Sequence, residues 1–337
     1  MTSRRYAWRG YALEVEIPPS VASRARSLLP ERLRPGMVAR QRPHGPVLLD
    51  APDVAIKRRD RQRALDFLRA PDLAGDGVSP SSALTADLAR QTERQDGAST
   101  LEERVLVWPW YHTIELPGGI VTPGFHDHRD LVAHVGLGAD LSGLRALDVA
   151  TFDGFWAFEL ERRGAEVVAI DLPSVAELDL PTGVRQIVLN EGMDVPLGEP
   201  FRIAHAALGS AVKKEAMSAY DLDPEAVGTF DVAFMGDLLL HLERPLEALR
   251  RIRDVTTGQL IITDVFDPGI TRSDDCLIRY RGAWNDLVWW EASLNVLVQM
   301  VADAGFSQVE VVGAYRLTTT LPDAARGLQR AIIHAKA

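Results

Sequence analysis

Residues 145–171 constrain the fold more than any other part of the chain. Their apolar and polar pattern predicts a strand, a tight loop, a helix and a second strand, which Asp171 closes. The predicted bounds are 146–149 for the first strand, 150–154 for the loop, 155–163 for the helix and 166–170 for the second strand. In such a unit the loop N–H groups approach a nucleotide-like ligand, and the closing carboxylate accepts hydrogen bonds from its ribose hydroxyls. The segment therefore predicts a binding site for a nucleotide-like molecule.

Composition places the chain among ordinary globular proteins. Hydrophobic residues make up 46% and charged residues 25% of its 337 residues, which is enough chain for an α/β core and a smaller unit. No apolar run reaches the length of a membrane span, and the N-terminus lacks the apolar core of a signal peptide. Cys276 is the single cysteine, so no disulfide framework is expected. We expect a cytoplasmic protein that does not contact membranes.

Charge is distributed unevenly along the chain. The first 70 residues carry 15 basic and seven acidic side chains, a net charge of +8, which leaves −18 for the remainder. A basic flank of this kind is able to contact phosphates of a nucleic acid. A solvated, arginine-rich surface on a small appended unit explains it equally simply, and we favour that interpretation.

The chain is predicted to divide near residue 100. Residues 1–100 are interpreted as a small α+β appendage that ends in a charged helix. Its predicted elements are a strand over Tyr11–Ile17, a short helix over 20–29, a strand over Val47–Leu49 and the charged helix over 54–69. A capping box, Thr100 with Glu103, then opens a helix that ends near Val107. Residues 101–337 are predicted to form the main domain.

Segment 108–124 is unusually rich in aromatic residues. Its Pro-Gly-Gly and Thr-Pro-Gly turns predict a hairpin-like lid, with Trp110, Tyr111 and Thr122 close to the ligand. A purely packing role for the aromatic side chains is the alternative. His126 and His128 follow directly and resemble a metal-binding pair, but nothing nearby supplies further ligands, so we predict no metal.

The rest of the chain alternates strands and helices and ends with helix, strand, turn and strand. The predicted elements are a helix over 201–208, strands over 212–217, 230–235 and 259–263, helices from Pro245 and over 286–304, and final strands over 309–312 and 330–334. Alternation predicts a doubly wound parallel sheet. The closing strand pair predicts an antiparallel last strand in that sheet.

This ending and the loop residues resemble those of class I S-adenosyl-L-methionine (SAM)-dependent methyltransferases. Asp148 with Gly154 resembles the first motif, Asp171 the ribose acid, and 218–221 the loop around adenine, while 230–242 resembles the motif of the fourth strand. The resemblance implies a Rossmann-like, doubly wound, seven-stranded sheet with an antiparallel last strand, and SAM as cofactor. More narrowly, residues 100–337 resemble tRNA wobble-uridine carboxymethyltransferases and their relatives. The residues that carry this narrower likeness are Trp110-Tyr111-His112, Thr122-Pro123-Gly124, Leu240-His241 and Pro245-Leu246.

The resemblance also implies which residues form the site. Those expected to bind the donor are Tyr111, Thr122, Asp148, Ala150, Thr151, Phe152, Gly154, Asp171, Leu172, Ala219, Tyr220, Asp221 and Gly236. Those expected to face the acceptor are His112, Asp264, Tyr280, Trp284, Trp290 and Glu291. His241 and Asp237 are the catalytic candidates: the histidine as a base or as a structural residue of its own turn, the aspartate as a catalytic group or a partner of the donor amine.

The sequence departs from the family pattern in two places. Ala150 and Phe152 stand where the family has glycines, so we expect the loop to differ locally. Leu240 replaces the tyrosine that the tRNA enzymes use to hold a carboxylated donor, and no lysine lies between Lys57 and Lys213. We therefore expect ordinary SAM as the donor.

Three functions remain open at this point. The first is methylation of a small-molecule acceptor at O, N or C, in secondary metabolism. The second is a tRNA-modifying reaction that uses the basic first 70 residues to contact phosphates. The third is a non-catalytic partner subunit, against which the retained Asp148, Gly154, Asp171 and His241 argue.

Overall fold

A computed structural model describes residues 2–8, 11–17, 48–50, 100–190, 196–271, 275–281, 288–316 and 329–337, and before residue 100 it describes backbone only. The predicted helices over 20–29 and 54–69 and the acceptor candidate Trp284 lie outside these ranges. The chain divides into two compact units, Met1–Gly45 and Pro46–Ala337. In the first unit, strands β1 (Thr2–Trp8) and β2 (Tyr11–Ile17) form an antiparallel hairpin, which confirms the predicted strand 11–17. The predicted boundary near residue 100 falls within the second unit and stays a prediction.

The second unit contains the remaining strands and all the helices described. Its strands are β3 (Leu48–Asp50), β4 (Trp110–His112), β5 (Glu115–Leu116), β6 (Ile120–Val121), β7 (Gly124–His126), β8 (Arg145–Val149), β9 (Glu166–Asp171), β10 (Lys213–Ala216), β11 (Phe230–Gly236), β12 (Thr256–Phe266), β13 (Ile278–Tyr280), β14 (Trp290–Ala292), β15 (Ser307–Arg316) and β16 (Gln329–Lys336). Its α-helices are α1 (Leu101–Val107), α2 (Phe155–Arg162), α3 (Thr182–Asn190), α4 (Glu199–Leu208), α5 (Pro224–Val227), α6 (Pro245–Val255) and α7 (Leu294–Asp303).

The main sheet has the strand order β10-β9-β8-β11-β12-β16-β15-β3. Strand β16 pairs antiparallel with both of its neighbours, and every other pairing in this sheet is parallel. The predicted doubly wound, seven-stranded sheet with an antiparallel last strand is thereby confirmed. Strand β3 adds an eighth, edge position beside β15. The strand that we had assigned to the appendage thus belongs to the main sheet.

Alternate residues of the central strands pack into two apolar layers. Leu147 of β8 belongs to one core cluster and its neighbour Ala146 to the other, because successive strand residues point to opposite faces. Helices α6 and α7 cover the first face, whereas α2 and α4 cover the second. Within the described ranges no helix is long and apolar enough to cross a membrane.

Helix α1 begins at the predicted capping box. The Thr100 hydroxyl accepts the Glu103 N–H at 3.2 Å, and the Glu103 carboxylate accepts the Thr100 N–H at 2.9 Å. Both bonds satisfy N–H groups that have no partner inside a first helical turn. The prediction of this helix start is confirmed.

Helix α7 is shorter than the sequence predicted. We expected one helix over 286–304, but residues Trp290–Ala292 form β14 and pair with β13. The helix begins only at Leu294, after Ser293 caps it by accepting the Val296 N–H at 3.3 Å. The run of apolar residues that we interpreted as one helix therefore contains a strand followed by a shorter helix.

The aromatic segment 108–124 packs in part into the core, and its role as a lid stays a prediction. Its Pro-Gly-Gly turn does connect the small hairpin of β5 and β6, as predicted. Trp110, however, is completely buried, and its indole N–H donates to the Val105 carbonyl at 2.8 Å. Strand β4 runs parallel to β7, and Gly124 approaches so closely that a Cβ would lie 2.2 Å from the His112 carbonyl carbon. This tight packing explains why only glycine fits at position 124.

Candidate active site

The carboxyl ends of β8, β9 and β11 meet at one edge of the sheet. In doubly wound sheets this edge, where the strand order reverses, is where ligands bind. Strand β8 lies between β9 and β11 and is followed by the loop 150–154. The residues predicted for the donor site are concentrated here.

The loop after β8 has three residues in the left-handed backbone region, which glycine adopts more easily than other residues. The φ angles are 60° at Ala150, 50° at Phe152 and 91° at Gly154, all in the left-handed region. Such angles cost side-chain-bearing residues about 1 kcal/mol or more each. Ala150 and Phe152 thus adopt a conformation that glycine reaches without this cost, and the expected local difference from the family's loop stays a prediction. Phe152 also leaves 38% of its surface exposed at this edge.

Asp171 closes β9 directly beside this loop. Its Oδ2 accepts the Phe152 N–H at 2.7 Å, and its Oδ1 accepts the Leu172 N–H at 2.8 Å. Burial raises the pKa of Asp171, an effect that nearby Lys214 and the two N–H donors oppose. Each carboxylate oxygen has a second lone pair. The arrangement leaves one further acceptor position on each oxygen for a vicinal diol.

Asp148 is buried at the end of β8. Its Oδ2 accepts the Thr151 hydroxyl at 2.6 Å, which links the strand to the loop. Burial raises the pKa of Asp148 to about 7, although the Thr151 hydroxyl and nearby His112 act in the opposite direction. Asp148 and Thr151 are thus adjacent, and their hydrogen bond stabilises the loop.

The raised pKa of Asp148 predicts a specific pH dependence of stability. An aspartate titrates near pH 4 in the unfolded chain and here near 7, so the folded state binds more protons between these values. Stability contributed by this group is therefore lost as pH rises from about 4 to about 7. Asp148→Asn, which mimics the protonated form, should flatten that decline relative to wild type in urea unfolding at several pH values. Parallel pH profiles for the two proteins would contradict the prediction.

Asp153 is a site residue that the sequence analysis missed. It is completely buried, and its Oδ2 accepts the backbone N–H groups of Tyr111 at 2.9 Å and His112 at 2.7 Å. Its Oδ1 lies 2.6 Å from Nδ1 of His112. One carboxylate thus attaches β4 to the loop after β8. The sequence did offer a signal for this residue, because an aspartate stands directly before Gly154 in the predicted ligand-binding loop.

A buried network joins β4, the end of β11 and β16. The Tyr111 hydroxyl donates to Asp237 at 2.6 Å, and Arg330 binds the same carboxylate through Nε at 2.8 Å and Nη2 at 2.7 Å. Burial would raise the pKa of Asp237, but Arg330 and the Tyr111 hydroxyl hold it below its ordinary value. Asp237 also adopts a left-handed φ of 48°. Its carboxylate is therefore committed to two partners and is a poor base.

Arg330 was also missed by sequence reasoning. It is only 3% exposed, and arginine is almost never so buried without a partner. The available signal was a charged residue at the start of the apolar run of β16. Its partner could not be read from the sequence, because Asp237 lies 93 residues away.

Two further histidines lie beside this network. His126 and His128 are both buried, and the Nδ1 atom of each has no hydrogen-bond partner in the part of the chain that the structure describes. Burial lowers the pKa of His126 to about 3 and that of His128 well below its ordinary value, so both rings are neutral near pH 7. Among the residues described, no group of three or more His, Cys, Asp or Glu side chains is arranged to hold a metal ion.

The loop after β10 forms the predicted turn. Residues Ala219–Asp221 make a single 3₁₀ turn, and the Ser218 hydroxyl accepts the Tyr220 N–H at 3.3 Å. The Tyr220 hydroxyl donates to Asp179, and the Arg244 guanidinium lies 4.3 Å from the Tyr220 ring centre. The turn is thus held at the same edge of the sheet as Asp171.

Two of the predicted site residues make hydrogen bonds to the backbone. Thr122 is buried, and its hydroxyl donates to the His112 carbonyl at 2.8 Å while accepting the Ile114 N–H at 2.7 Å. Asp264 is completely buried and accepts the N–H groups of Leu239 at 2.8 Å and Val265 at 2.8 Å. The structure therefore places Thr122 inside the β4–β7 packing and Asp264 beneath the turn after β11, and their roles toward a ligand stay predictions.

The acceptor candidates Tyr280, Trp290 and Glu291 lie on the β13–β14 hairpin. The Trp290 indole donates to the Leu242 carbonyl at 2.8 Å, which attaches the hairpin to the turn after β11. Glu291 accepts from Arg281 at 2.8 Å, and Tyr280 is 60% exposed. The hairpin brings these side chains to the turn that contains His241, but its rings are not part of the buried network around Asp237.

His241 and Gly236 occupy the expected places after the fourth parallel strand. Gly236 ends β11, and a Cβ there would lie 3.1 Å from the Thr263 hydroxyl. His241 is half-buried at the end of a 3₁₀ turn, and its backbone N–H donates to the Leu238 carbonyl at 2.9 Å. Both residues thus border the site at the carboxyl end of β11.

Comparison with known proteins gives backbone similarities only. No family model and no curated protein matches the sequence. The N-terminal domain of EvdMO1, solved in the presence of S-adenosylhomocysteine (SAH) and D-fucose, is 16% identical with a TM-score of 0.45, over 74% of this chain and 97% of that one. Magnesium protoporphyrin IX methyltransferase from Synechocystis PCC 6803 with bound SAH is 14% identical with a TM-score of 0.40, over 61% and 80%. The 1,6-didemethyltoxoflavin-N1-methyltransferase of Burkholderia thailandensis is 16% identical with a TM-score of 0.37, over 86% and 93%.

Proposed function

We propose that this protein is a SAM-dependent methyltransferase that methylates a small-molecule acceptor. The observation that carries the proposal is the contact between Asp171 and the loop after β8. The Asp171 carboxylate binds the Phe152 N–H and retains acceptor positions for a ribose diol. Gly154 in this loop supports the same interpretation, since a residue without a Cβ lets the backbone pass close to a ligand.

The loop favours SAM over a dinucleotide. A dinucleotide needs glycines so that the backbone can approach its pyrophosphate. Here Ala150 and Phe152 carry side chains at those positions, and SAM has no pyrophosphate to accommodate. The antiparallel β16 supports the same choice, because the resemblance to methyltransferases implied this strand.

In the proposed site, different loops contact different parts of the donor. Asp171 and Leu172 bind the ribose side, and the turn 219–221 borders the adenine. The loop 150–154 and Gly236 border the methionine part of the donor. Arg330 holds the Asp237 carboxylate, and this carboxylate orients the Tyr111 ring through the Tyr111 hydroxyl. The sulfonium is already an activated methyl donor, so the protein needs to align the two reactants and remove a proton where the acceptor carries one.

A small-molecule acceptor is supported by the exposed aromatic surface of the β13–β14 hairpin. Tyr280 and Trp290 have their ring centres 5.4 Å apart, beside the turn that contains His241. A role in secondary metabolism is part of this proposal. For the tRNA reaction, no observation within the described ranges adds support, since the basic first 70 residues lie largely outside them.

Two measurements test the proposal on the full chain. Isothermal calorimetry should detect binding of SAM and of SAH, and absence of both would contradict the donor assignment. Transfer of label from methyl-tritiated SAM to a pooled panel of small hydroxyl and amine compounds should exceed transfer to bulk tRNA. Salt-sensitive tRNA binding together with methylation of tRNA alone would instead support the tRNA reaction.

Asp171→Asn should weaken SAM binding about 10- to 150-fold. Such a loss equals about 1.5–3 kcal/mol, the range for a hydrogen bond to a charged group. The measurement is the SAM dissociation constant by calorimetry, together with a urea unfolding curve that confirms a folded variant. Asp254→Asn is the matched control, because Asp254 is exposed near the end of α6 at the opposite edge of the sheet. Equal dissociation constants for both variants would remove Asp171 from the donor site.

A further inference from the structure

His112 and Asp153 form a pair whose chemistry the proposed donor site does not use. Nδ1 of His112 lies 2.6 Å from Oδ1 of Asp153, and both side chains are buried. A carboxylate that contacts one ring nitrogen fixes which nitrogen carries the proton. The same relation orients the histidine base of hydrolytic triads.

The tautomer of His112 follows from the three hydrogen bonds of Asp153. Oδ2 accepts two backbone N–H groups, from Tyr111 and His112, and these donors cannot change role. An ionised carboxylate only accepts, so Nδ1 of His112 must donate to Oδ1. The lone pair of the neutral ring then lies on Nε2. Within the described ranges, no hydrogen bond involves this Nε2.

The position of His112 places this lone pair at the carboxyl edge of the sheet. Strand β4 joins the loop after β8, through Asp153, to the end of β11, through the Tyr111–Asp237 bond. The His112 ring also stacks on Phe155, the first residue of α2, at 5.1 Å between ring centres. His112 therefore lies between the two strands whose loops border the methionine part of the proposed donor. Its side chain keeps 8% exposure, whereas that of Asp153 has none.

The neighbouring histidines are less suited to accept a proton. The ring centres of His126 and His128 lie 5.9 Å apart, and burial lowers the pKa of each ring. A protonated ring at either position would be a buried charge without a hydrogen-bonded carboxylate, which is costly. At His112 the Asp153 carboxylate stabilises the imidazolium that forms.

We propose that His112, oriented by Asp153, is the general base that deprotonates a hydroxyl or amine acceptor. The proposal rests on the proposed methyltransferase function. In the step, a lone pair of the acceptor oxygen or nitrogen forms a bond to the methyl carbon. The sulfur–methyl bond breaks, and its electron pair neutralises the sulfonium to give SAH. The acceptor proton moves to Nε2 of His112 and is later released to water.

Asp153→Asn provides a test that preserves the shape of the pair. The two backbone N–H donors require the amide oxygen of the new side chain, which turns its NH₂ group toward Nδ1 of His112. Nδ1 must then accept, and the proton moves to Nε2. ¹⁵N-histidine NMR of the full chain should show the Nδ1–H tautomer in wild type and the Nε2–H tautomer in the variant. His112→Gln identifies the resonances. An Nε2–H tautomer in wild type would overturn the proposal.

Addition of SAM and of SAH to the labelled protein locates the base relative to the methyl group. The two ligands differ by a methyl group and a positive charge at sulfur, so SAM should move the Nε2 resonance of His112 several-fold more than SAH. His205 and His334, whose Nε2 atoms contact the carbonyls of Val212 and Val135, are internal controls and should not distinguish the ligands. Equal responses at His112, or a SAM-specific response at His241 instead, would contradict the proposal. Failure of both ligands to bind would contradict the methyltransferase function itself.

Methyl transfer to the pooled hydroxyl and amine panel gives an independent readout. His112→Gln and Asp153→Asn should each lower it about 10²- to 10⁴-fold, the contribution typical of general base catalysis. In His112→Gln the SAM dissociation constant should change less than about threefold, because the His112 side chain is not assigned to donor binding. Near-normal transfer in both variants would remove the pair from catalysis.

Discussion

Arg330→Met should lower the free energy of unfolding by about 3–5 kcal/mol, the cost of removing one partner of a buried ion pair. The substitution keeps an apolar stem of similar length but leaves the Asp237 carboxylate buried without its counter-charge. The Tyr111 hydroxyl, at 2.6 Å, remains as a neutral donor and does not replace the lost charge. Urea unfolding monitored by circular dichroism gives the change directly.

Two comparisons separate the buried charge from general damage. The double variant Arg330→Met/Asp237→Asn should recover part of the loss, because it removes the uncompensated carboxylate. Arg162→Met removes an exposed partner of Glu159 and should cost less than about 1 kcal/mol. The loss in Arg330→Met should also shrink as pH falls, because protonation neutralises Asp237. Equal effects of Arg330→Met and Arg162→Met would show that the buried pair does not stabilise the fold.

Gly154→Ala should lower the free energy of unfolding by about 2–5 kcal/mol. One part is conformational, because Gly154 has a φ of 91°, where a side chain costs about 1–2 kcal/mol. The other is steric: a Cβ would lie 2.5 Å from the Phe158 ring and 2.7 Å from the Phe201 ring, and overpacking costs about 1–3 kcal/mol. Since Gly154 ends the loop that we propose to bind the donor, SAM binding should weaken as well in calorimetry.

Other glycines of the same chain isolate the two contributions. Gly209 ends α4 with a φ of 63° and has open space around it, so Gly209→Ala should show the conformational cost alone. Gly183 lies in α3 with ordinary φ and open space, and Gly183→Ala should be neutral or stabilising. A loss in Gly154→Ala no larger than that in Gly209→Ala would mean that the two rings move aside.

The sequence predicted correctly those helices, strands and loops whose conformation is set by residues close by in the chain. The capping box of Thr100 and Glu103 and the strand–loop–helix–strand unit of 145–171 were both confirmed. The position of Asp171 beside the loop follows from that unit, because parallel strands end at the same edge. The seven-stranded sheet and its antiparallel last strand came from the resemblance and from the helix, strand, turn and strand predicted for the last part of the sequence, whereas the strand order came from the structure.

The sequence could not reveal which distant residues complete the site. Asp153 contacts His112 over 41 residues, and Arg330 contacts Asp237 over 93. Both polar residues were visible in the sequence, but their partners depend on how β4 and β16 are placed. The predicted site residues Thr122 and Asp264 show the same limit, because a polar side chain gives the same signal in the sequence whether it contacts a ligand or a backbone N–H.

The sequence by itself determined the alternating α/β architecture, the first helix and the loop with its closing carboxylate. Tertiary structure alone decided that Trp110 is buried, that Leu48–Asp50 extends the main sheet and that α7 begins at Leu294. It also decided that Ala150 and Phe152 keep a left-handed backbone. The physical reason is the range of the interactions. Caps and helical periods are set within a few residues, whereas strand pairing and buried ion pairs stabilise a local conformation through residues far away in the chain.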